Sequence, residues 1–248
     1  MQLLDADYFL NANKPVVRLY GKTENGNSVC AFYDKFLPYF YIKPNSRTTE
    51  AIKNIREIVA TEEVDKFTPL GYQAEPTKLV KVTLANPQDV PRISAMLLDQ
   101  KAADDIFEND ILFKYRFLVD HSLRGMEWVD VQGQKTFTKT VTCPAYAASS
   151  ITPVGKKENA ELRYLAFDIE CIPSDITKPL NSKKDPIVII AMSFKPQYKN
   201  HDTLVLVAKP VSGNAVQGFQ NEKAMLEEFL GIISVYDPDI ITGYNINA

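Results

Sequence analysis

Asp168 and Glu170 stand one residue apart at the end of the apolar run Tyr164-Leu165-Ala166-Phe167-Asp168-Ile169-Glu170-Cys171. On an extended strand alternate side chains share a face, so both acids point one way while Phe167 and Ile169 turn to the packed side. Their Cα atoms then lie roughly 6 to 7 Å apart. That spacing lets both carboxylates lean on one or two divalent cations of the hard, oxygen-seeking kind. The same residues also describe a strand that ends in solvated acids, and taken alone they do not separate the two readings.

The elements that must position this strand follow from periodicity. Residues 3–9, 15–20, 29–33 and 36–42 read as strands of an antiparallel meander, with Asn25-Gly26 as the hairpin turn between the second and third. From Thr49 the period changes to that of a helix, with Ile52, Ile55, Ile58 and Val59 on one face. Residues 79–84 alternate as a strand. A second helix opens at Asn86-Pro87-Gln88-Asp89-Val90-Pro91, where Asp89 can cap, Pro91 suits the first turn, and Ile93, Met96 and Leu97 form the inward stripe. Strands and helices in this order make an α+β unit over residues 1–130. Residues 131–161, rich in turn formers, read as a connector over the surface. A second unit, 162–248, begins with the acidic strand and continues with strands at 186–193 and 203–208. A helix over 221–235 follows, with Met225, Leu226, Phe229, Leu230 and Ile233 inward, and then a strand at 238–244. Three strands, a helix and a fourth strand are the opening half of a ribonuclease-H-like α/β fold.

Composition sets the outer bounds. The 248 residues favour two cores over one. Hydrophobic residues at 45% and charged residues at 24% are ordinary for a folded globular chain. No apolar run is long enough to span a bilayer and no signal-peptide pattern opens the chain, so a cytoplasmic protein without a membrane partner is expected. Cys30, Cys143 and Cys171 are odd in number and far apart, which suits neither a disulfide framework nor a zinc cluster. His121 and His201 lack ligand partners in the sequence and read as surface residues. A net charge of −3 does not advertise a nucleic-acid binder, although net charge hides local patches.

Leu165-Ala166-Phe167-Asp168-Ile169-Glu170 resembles the first exonuclease motif of family B DNA polymerases. Asp237-Pro238-Asp239-Ile240-Ile241-Thr242-Gly243-Tyr244-Asn245 resembles the approach to their second. Met1 to Tyr8, Phe36-Leu37-Pro38-Tyr39-Phe40-Tyr41, the Asn86 to Pro91 segment and Asp105-Ile106-Phe107-Glu108-Asn109-Asp110-Ile111 are similar to the amino-terminal domain of the archaeal members. The resemblance implies a replicative DNA-directed DNA polymerase with a proofreading 3′–5′ exonuclease, acting on primer–template and single-stranded DNA with a sliding clamp as partner. It assigns Asp168 and Glu170 to a two-ion Mg²⁺ or Mn²⁺ site and Tyr244 and Asn245 to the exonuclease substrate strand. Counting onward from Asn245 puts the next metal-binding aspartate beyond Ala248, so the chain is expected to be catalytically incomplete.

The same resemblance implies a pocket for template uracil. Tyr8, Pro38 and Tyr39 form one wall, Val90 sits at the opening, and Ile111, Phe113 and Arg116 complete the other side. Uracil lacks the 5-methyl group of thymine, so a tight apolar slot can admit one and clash with the other; Arg116 would serve a neighbouring phosphate. Leu112 departs from the proline expected between Ile111 and Phe113. Two other classes remain open: a free-standing 3′–5′ exonuclease and a non-catalytic nucleic-acid-binding relative of the polymerases.

Overall fold

A computed structural model of the chain describes residues 1–69 and 71–246. It divides into two compact units, Met1–Ala160 and Glu161–Ala248.

The first unit opens with β1 (Gln2–Asn11), β2 (Lys14–Lys22) and β3 (Ser28–Tyr33), an antiparallel meander. Gly26 takes the left-handed φ of +72° that the turn between β2 and β3 requires, as the Asn-Gly pair predicts. The chain then leaves for a separate four-stranded sheet. This contains β4 (Tyr39–Pro44), α1 (Thr48–Lys53), β5 (Ile58–Lys66), β6 (Thr77–Leu84), a 3-10 turn at Pro87–Asp89, α2 (Val90–Asp99) and β7 (Ala103–Phe107). The sheet order is β5-β6-β4-β7, all antiparallel. Both helices pack on it through Phe40, Ile42, Val82, Leu84, Ile93 and Leu97. A third helix, α3 (Phe113–Asp120), leads to β8 (Trp128–Thr136) and β9 (Ala145–Val154), which return to the opening meander and close it as a barrel β1-β2-β3-β9-β8. Leu3, Val17, Leu19, Val129 and Ile151 fill the barrel, and Phe113 and Phe117 of α3 join that core.

Four expectations change here. The helix beginning at Thr49 stops after Lys53, and Ile58 and Val59 instead begin β5, whose residues pair with β6 from Ile58↔Leu84 to Lys66↔Thr77. An apolar repeat and a β-branched run overlap there, and the available strand edge wins. The strand at 36–42 belongs to the second sheet, not to the meander. Residues 131–161 are no surface connector: most of them build β8 and β9, where nine residue pairs run from Trp128↔Val154 to Thr136↔Ala145. Asn86 caps the 3-10 turn by accepting from the Gln88 N–H at 2.9 Å, whereas Asp89 makes no side-chain cap.

The second unit contains β10 (Tyr164–Cys171), β11 (Ile187–Tyr198), β12 (His201–Val207), β13 (Ser212–Gly213), β14 (Val216–Gly218), α4 (Glu222–Tyr236) and β15 (Ile240–Thr242). Sheet order is β13-β14-β12-β11-β10-β15; β10, β11 and β12 run antiparallel and β15 lies parallel to β10. Asn221 caps α4 through the Ala224 N–H at 3.0 Å. Met225, Ile232 and Tyr236 carry its buried face against Leu165, Ile190, Met192 and Leu206, while Leu230, expected inward, is exposed. Tyr236 closes the arrangement by donating its hydroxyl to the carbonyls of Pro196 (2.8 Å) and Tyr164 (3.2 Å).

Candidate functional site

In the second unit β10 projects Asp168 and Glu170 from one face, opposite Ala191 and Ile189 of β11, and both acids are exposed. Phe167 turns the other way and meets Phe229 of α4 edge-on at 5.2 Å between centroids. Ile169, expected to pack beside it, is 41% exposed, because it sits where β10 outruns its partner β15. Asp168 Oδ1 accepts the Ile169 N–H at 3.0 Å, and no described ion pair engages either acid. The two exposed carboxylates are hard oxygen donors of the type Mg²⁺ or Mn²⁺ prefers. They are two donors only: among the described residues there is no group of three or more His, Cys, Asp or Glu side chains that could hold an ion.

The second sequence motif lies alongside the first residues of this strand. Ile240, Ile241 and Thr242 pair in parallel with Tyr164, Leu165 and Ala166. Asp239 fixes that register: its Oδ2 accepts the Arg163 N–H at 2.8 Å, and its own N–H reaches the Arg163 carbonyl. Gly243 then comes so close to the Phe167 carbonyl oxygen that any Cβ would collide with it. Tyr244, with its ring in water, and Asn245, at φ +52°, follow in the turn that leaves β15. Asn247 and Ala248, through which the sequence approaches the further aspartate expected beyond the chain, lie outside the described residues.

In the first unit Tyr8, Pro38, Tyr39, Val90, Ile111, Phe113 and Arg116 all line one cavity of about 290 Å³. They arrive from β1, the entry to β4, the start of α2 and the start of α3, elements far apart in sequence. Tyr8 packs edge-to-face on Phe113 at 5.0 Å. Leu112, at the proline position, has φ −58°, close to the angle a proline ring would impose, so the backbone entering α3 keeps the shape a proline would give.

Arg116 departs from its expected part. Only 7% exposed, it forms an ion pair with Glu108 Oε2 at 2.5 Å, donates to the Glu108 carbonyl at 3.3 Å and lies 4.6 Å from the Tyr39 ring centre. The carboxylate contact is close but not aligned as a hydrogen bond. Tyr39 in turn donates its hydroxyl to Asp120 Oδ2 at 2.6 Å, and burial first, then that bond, raises its pKa above the ordinary phenol value. With its guanidinium paired to Glu108, Arg116 braces the cavity wall. The sequence reading missed Glu108 and Asp120, which hold Arg116 and Tyr39. Nothing in their spacing marks them, since their partners are set by the fold. His121, expected at the surface, stacks on Phe117 with centroids 4.1 Å apart.

A family profile described as DNA polymerase family B, exonuclease domain, matches residues 104–248. The chain belongs to DNA polymerase family B. Among its family B relatives, the DNA polymerase of Archaeoglobus fulgidus is 30% identical over 252 residues, which cover 99% of this chain and 29% of that protein. The DNA polymerase delta catalytic subunit of Drosophila melanogaster is 30% identical over 94% of this chain and 26% of its own length. The solved family B DNA polymerase of Pyrobaculum calidifontis superposes on all of this chain with a TM-score of 0.81 at 25% identity, using 30% of that structure. The chain thus spans between a quarter and a third of the length of these family B relatives, and the similarity runs through both of its units. No described helix is long and apolar enough to cross a membrane.

Proposed function

We propose that this chain is the template-reading and proofreading portion of a DNA-directed DNA polymerase with 3′–5′ exonuclease activity, and that its first unit recognises uracil in the single-stranded template. The convergence of seven residues from distant elements on one 290 Å³ cavity carries the reading. Its lining suits a planar base held edge and face by Tyr8, Pro38, Tyr39 and Phe113, with Val90 and Ile111 closing on the position where thymine carries its methyl group. Recognition is then a matter of exclusion: a methyl pressed into a packed wall costs more than its contacts return.

The strand order β12-β11-β10-β15, with β10 paired antiparallel to β11 and parallel to β15, supports a ribonuclease-H-like exonuclease domain. In that reading Asp168 and Glu170 help hold divalent cations, Mg²⁺ or Mn²⁺, whose chemistry in such a centre is to activate a water and stabilise the departing oxygen. Tyr244 and Asn245 receive the end of the strand, the ring by stacking on a base. The whole polymerase would act on primer–template DNA in the cytoplasm with a sliding clamp as partner.

The decisive experiment compares two labelled single-stranded oligonucleotides that differ by one uracil in place of thymine. Fluorescence anisotropy is expected to show tighter binding of the uracil strand by the 248-residue chain. Val90→Gln, which pushes a longer polar side chain into the opening, should remove the preference. Equal affinity for the two strands in the parent chain would overturn the assignment of the cavity.

A further inference from the structure

The barrel carries a second cavity that shares no lining residue with the first. β1, β2 and β3 form a meander, β8 returns beside β1, and β9 lies parallel to β3. That is a five-stranded Greek-key barrel. Oligonucleotide-binding barrels of this architecture take single strands on the face of their second and third strands, between the loop joining strands one and two and the loop joining strands four and five. Here those are β2, β3, the turn at Ala12-Asn13 and the loop 137–144. A cavity of about 280 Å³ lies at that place, with Phe9 and Asn11 of β1, Val16 of β2, Phe32 of β3, and Phe137 and Thr138 of the loop among its walls.

The side chains around it are arranged for stacking. Val17 and Leu19 point into the barrel core, which leaves Val16, Arg18 and Tyr20 on the other face; Val16 pairs across strands with Phe9, and Arg18 with Asp7 on one side and Phe32 on the other. Phe9 and Phe32 meet edge-on at 6.0 Å. Arg18 lies 5.2 Å from the Phe9 ring centre and 5.7 Å from that of Tyr20, and Asp7 holds its guanidinium with two bonds of 2.7 and 2.6 Å. At the rim Phe137 is 88% exposed. An aromatic floor with an unpacked aromatic ring at its lip is the form of a stacking platform for a base. Arg18 is paired with Asp7, and Asp34 also lines the cavity, so the contact it offers a strand is to a base through its aromatic walls.

We infer that this cavity is a second single-strand site, which takes one unpaired base of the DNA without reading uracil. The volume, at the low end for ligand pockets, suits one planar base and not a duplex. The inference rests on the proposed DNA-binding function and extends it to a second contact on the same strand.

The test uses the 248-residue chain and a fluorescein-labelled oligothymidylate, which contains no uracil and so does not engage the first cavity. Phe137→Ala removes only an exposed ring and should leave the melting temperature unchanged while weakening binding about tenfold. Phe137→Tyr should restore the affinity, and Phe32→Leu should weaken it. Because stacking depends little on released counterions, the relative loss should persist as salt is raised. Unchanged affinity in both Phe137→Ala and Phe32→Leu overturns the site. If Val90→Gln still abolishes the uracil preference in that case, the proposed function stands and only this second site is removed; a folded chain that binds neither oligonucleotide overturns both.

Discussion

Charge placement at single residues decides how the first cavity is held. Glu108 has φ +62°, a left-handed conformation that is costly for any residue but glycine, and Arg116 grips both its carboxylate and its carbonyl. Removing the carboxylate leaves a buried guanidinium without its ion partner. Glu108→Ala should therefore destabilise the chain by about 1–3 kcal/mol in urea unfolding. Glu108→Gly should lose less, because it also relieves the backbone. Tyr39 gives a pH dependence of definite sign. Its folded pKa is raised by burial and by donation to Asp120, and Tyr20 is pushed up to about 12 by burial and by Asp7, so both keep their protons in the folded chain where unfolded tyrosine, at about 10, loses them. The stabilising contribution is complete below about pH 10 and falls as pH rises above it. Urea unfolding at neutral pH and at about pH 11 should show this loss, and Tyr39→Phe should reduce it, leaving the part due to Tyr20.

At the scale of elements, the contact between β15 and β10 sets the second candidate site. Gly243 touches the Phe167 carbonyl where the parallel pairing ends, so Gly243→Ala must push the two strands apart. A loss of about 1–3 kcal/mol is expected in thermal or urea unfolding, as for other overpacked contacts. Stability unchanged by this substitution would mean that the turn carrying Tyr244 and Asn245 is not anchored to the acidic strand. Elements defined by local chemistry were legible beforehand: the Asn25-Gly26 hairpin, the helix near residues 221–235, and β10 with its two acids all stand where spacing and turn residues put them. The stretch from Ile52 to Val59 was not, because its apolar positions satisfy a helix as well as the start of β5, and the edge of β6 settles the choice. Residues 131–161 read as a connector for a related reason. Exposed residues along β8 and β9 dilute the alternation, and only the free edges of β1 and β3 recruit these strands.

For the whole molecule the donor count of the acidic centre leads to an expected absence of activity. Among the described residues no third His, Cys, Asp or Glu joins Asp168 and Glu170 in a group that could hold an ion, and hydrolysis by a pair of ions needs more than two ligands. The 248-residue chain with Mg²⁺ should leave a labelled single strand unshortened. Shortening that Asp168→Ala abolishes would show that the two acids suffice. By itself the sequence determined the acidic strand, the hairpin, the helix near residues 221–235, and, through resemblance to family B polymerases, the seven residues of the first cavity. Periodicity, capping chemistry and φ preference act over a few residues and are readable without a fold. Only the tertiary structure decided that β8 and β9 close the barrel, that Arg116 is spent on Glu108, and that a second aromatic cavity opens between the Ala12-Asn13 turn and the 137–144 loop. Those outcomes depend on which distant edge a strand finds and which partner a buried charge reaches, and neither is encoded in local spacing.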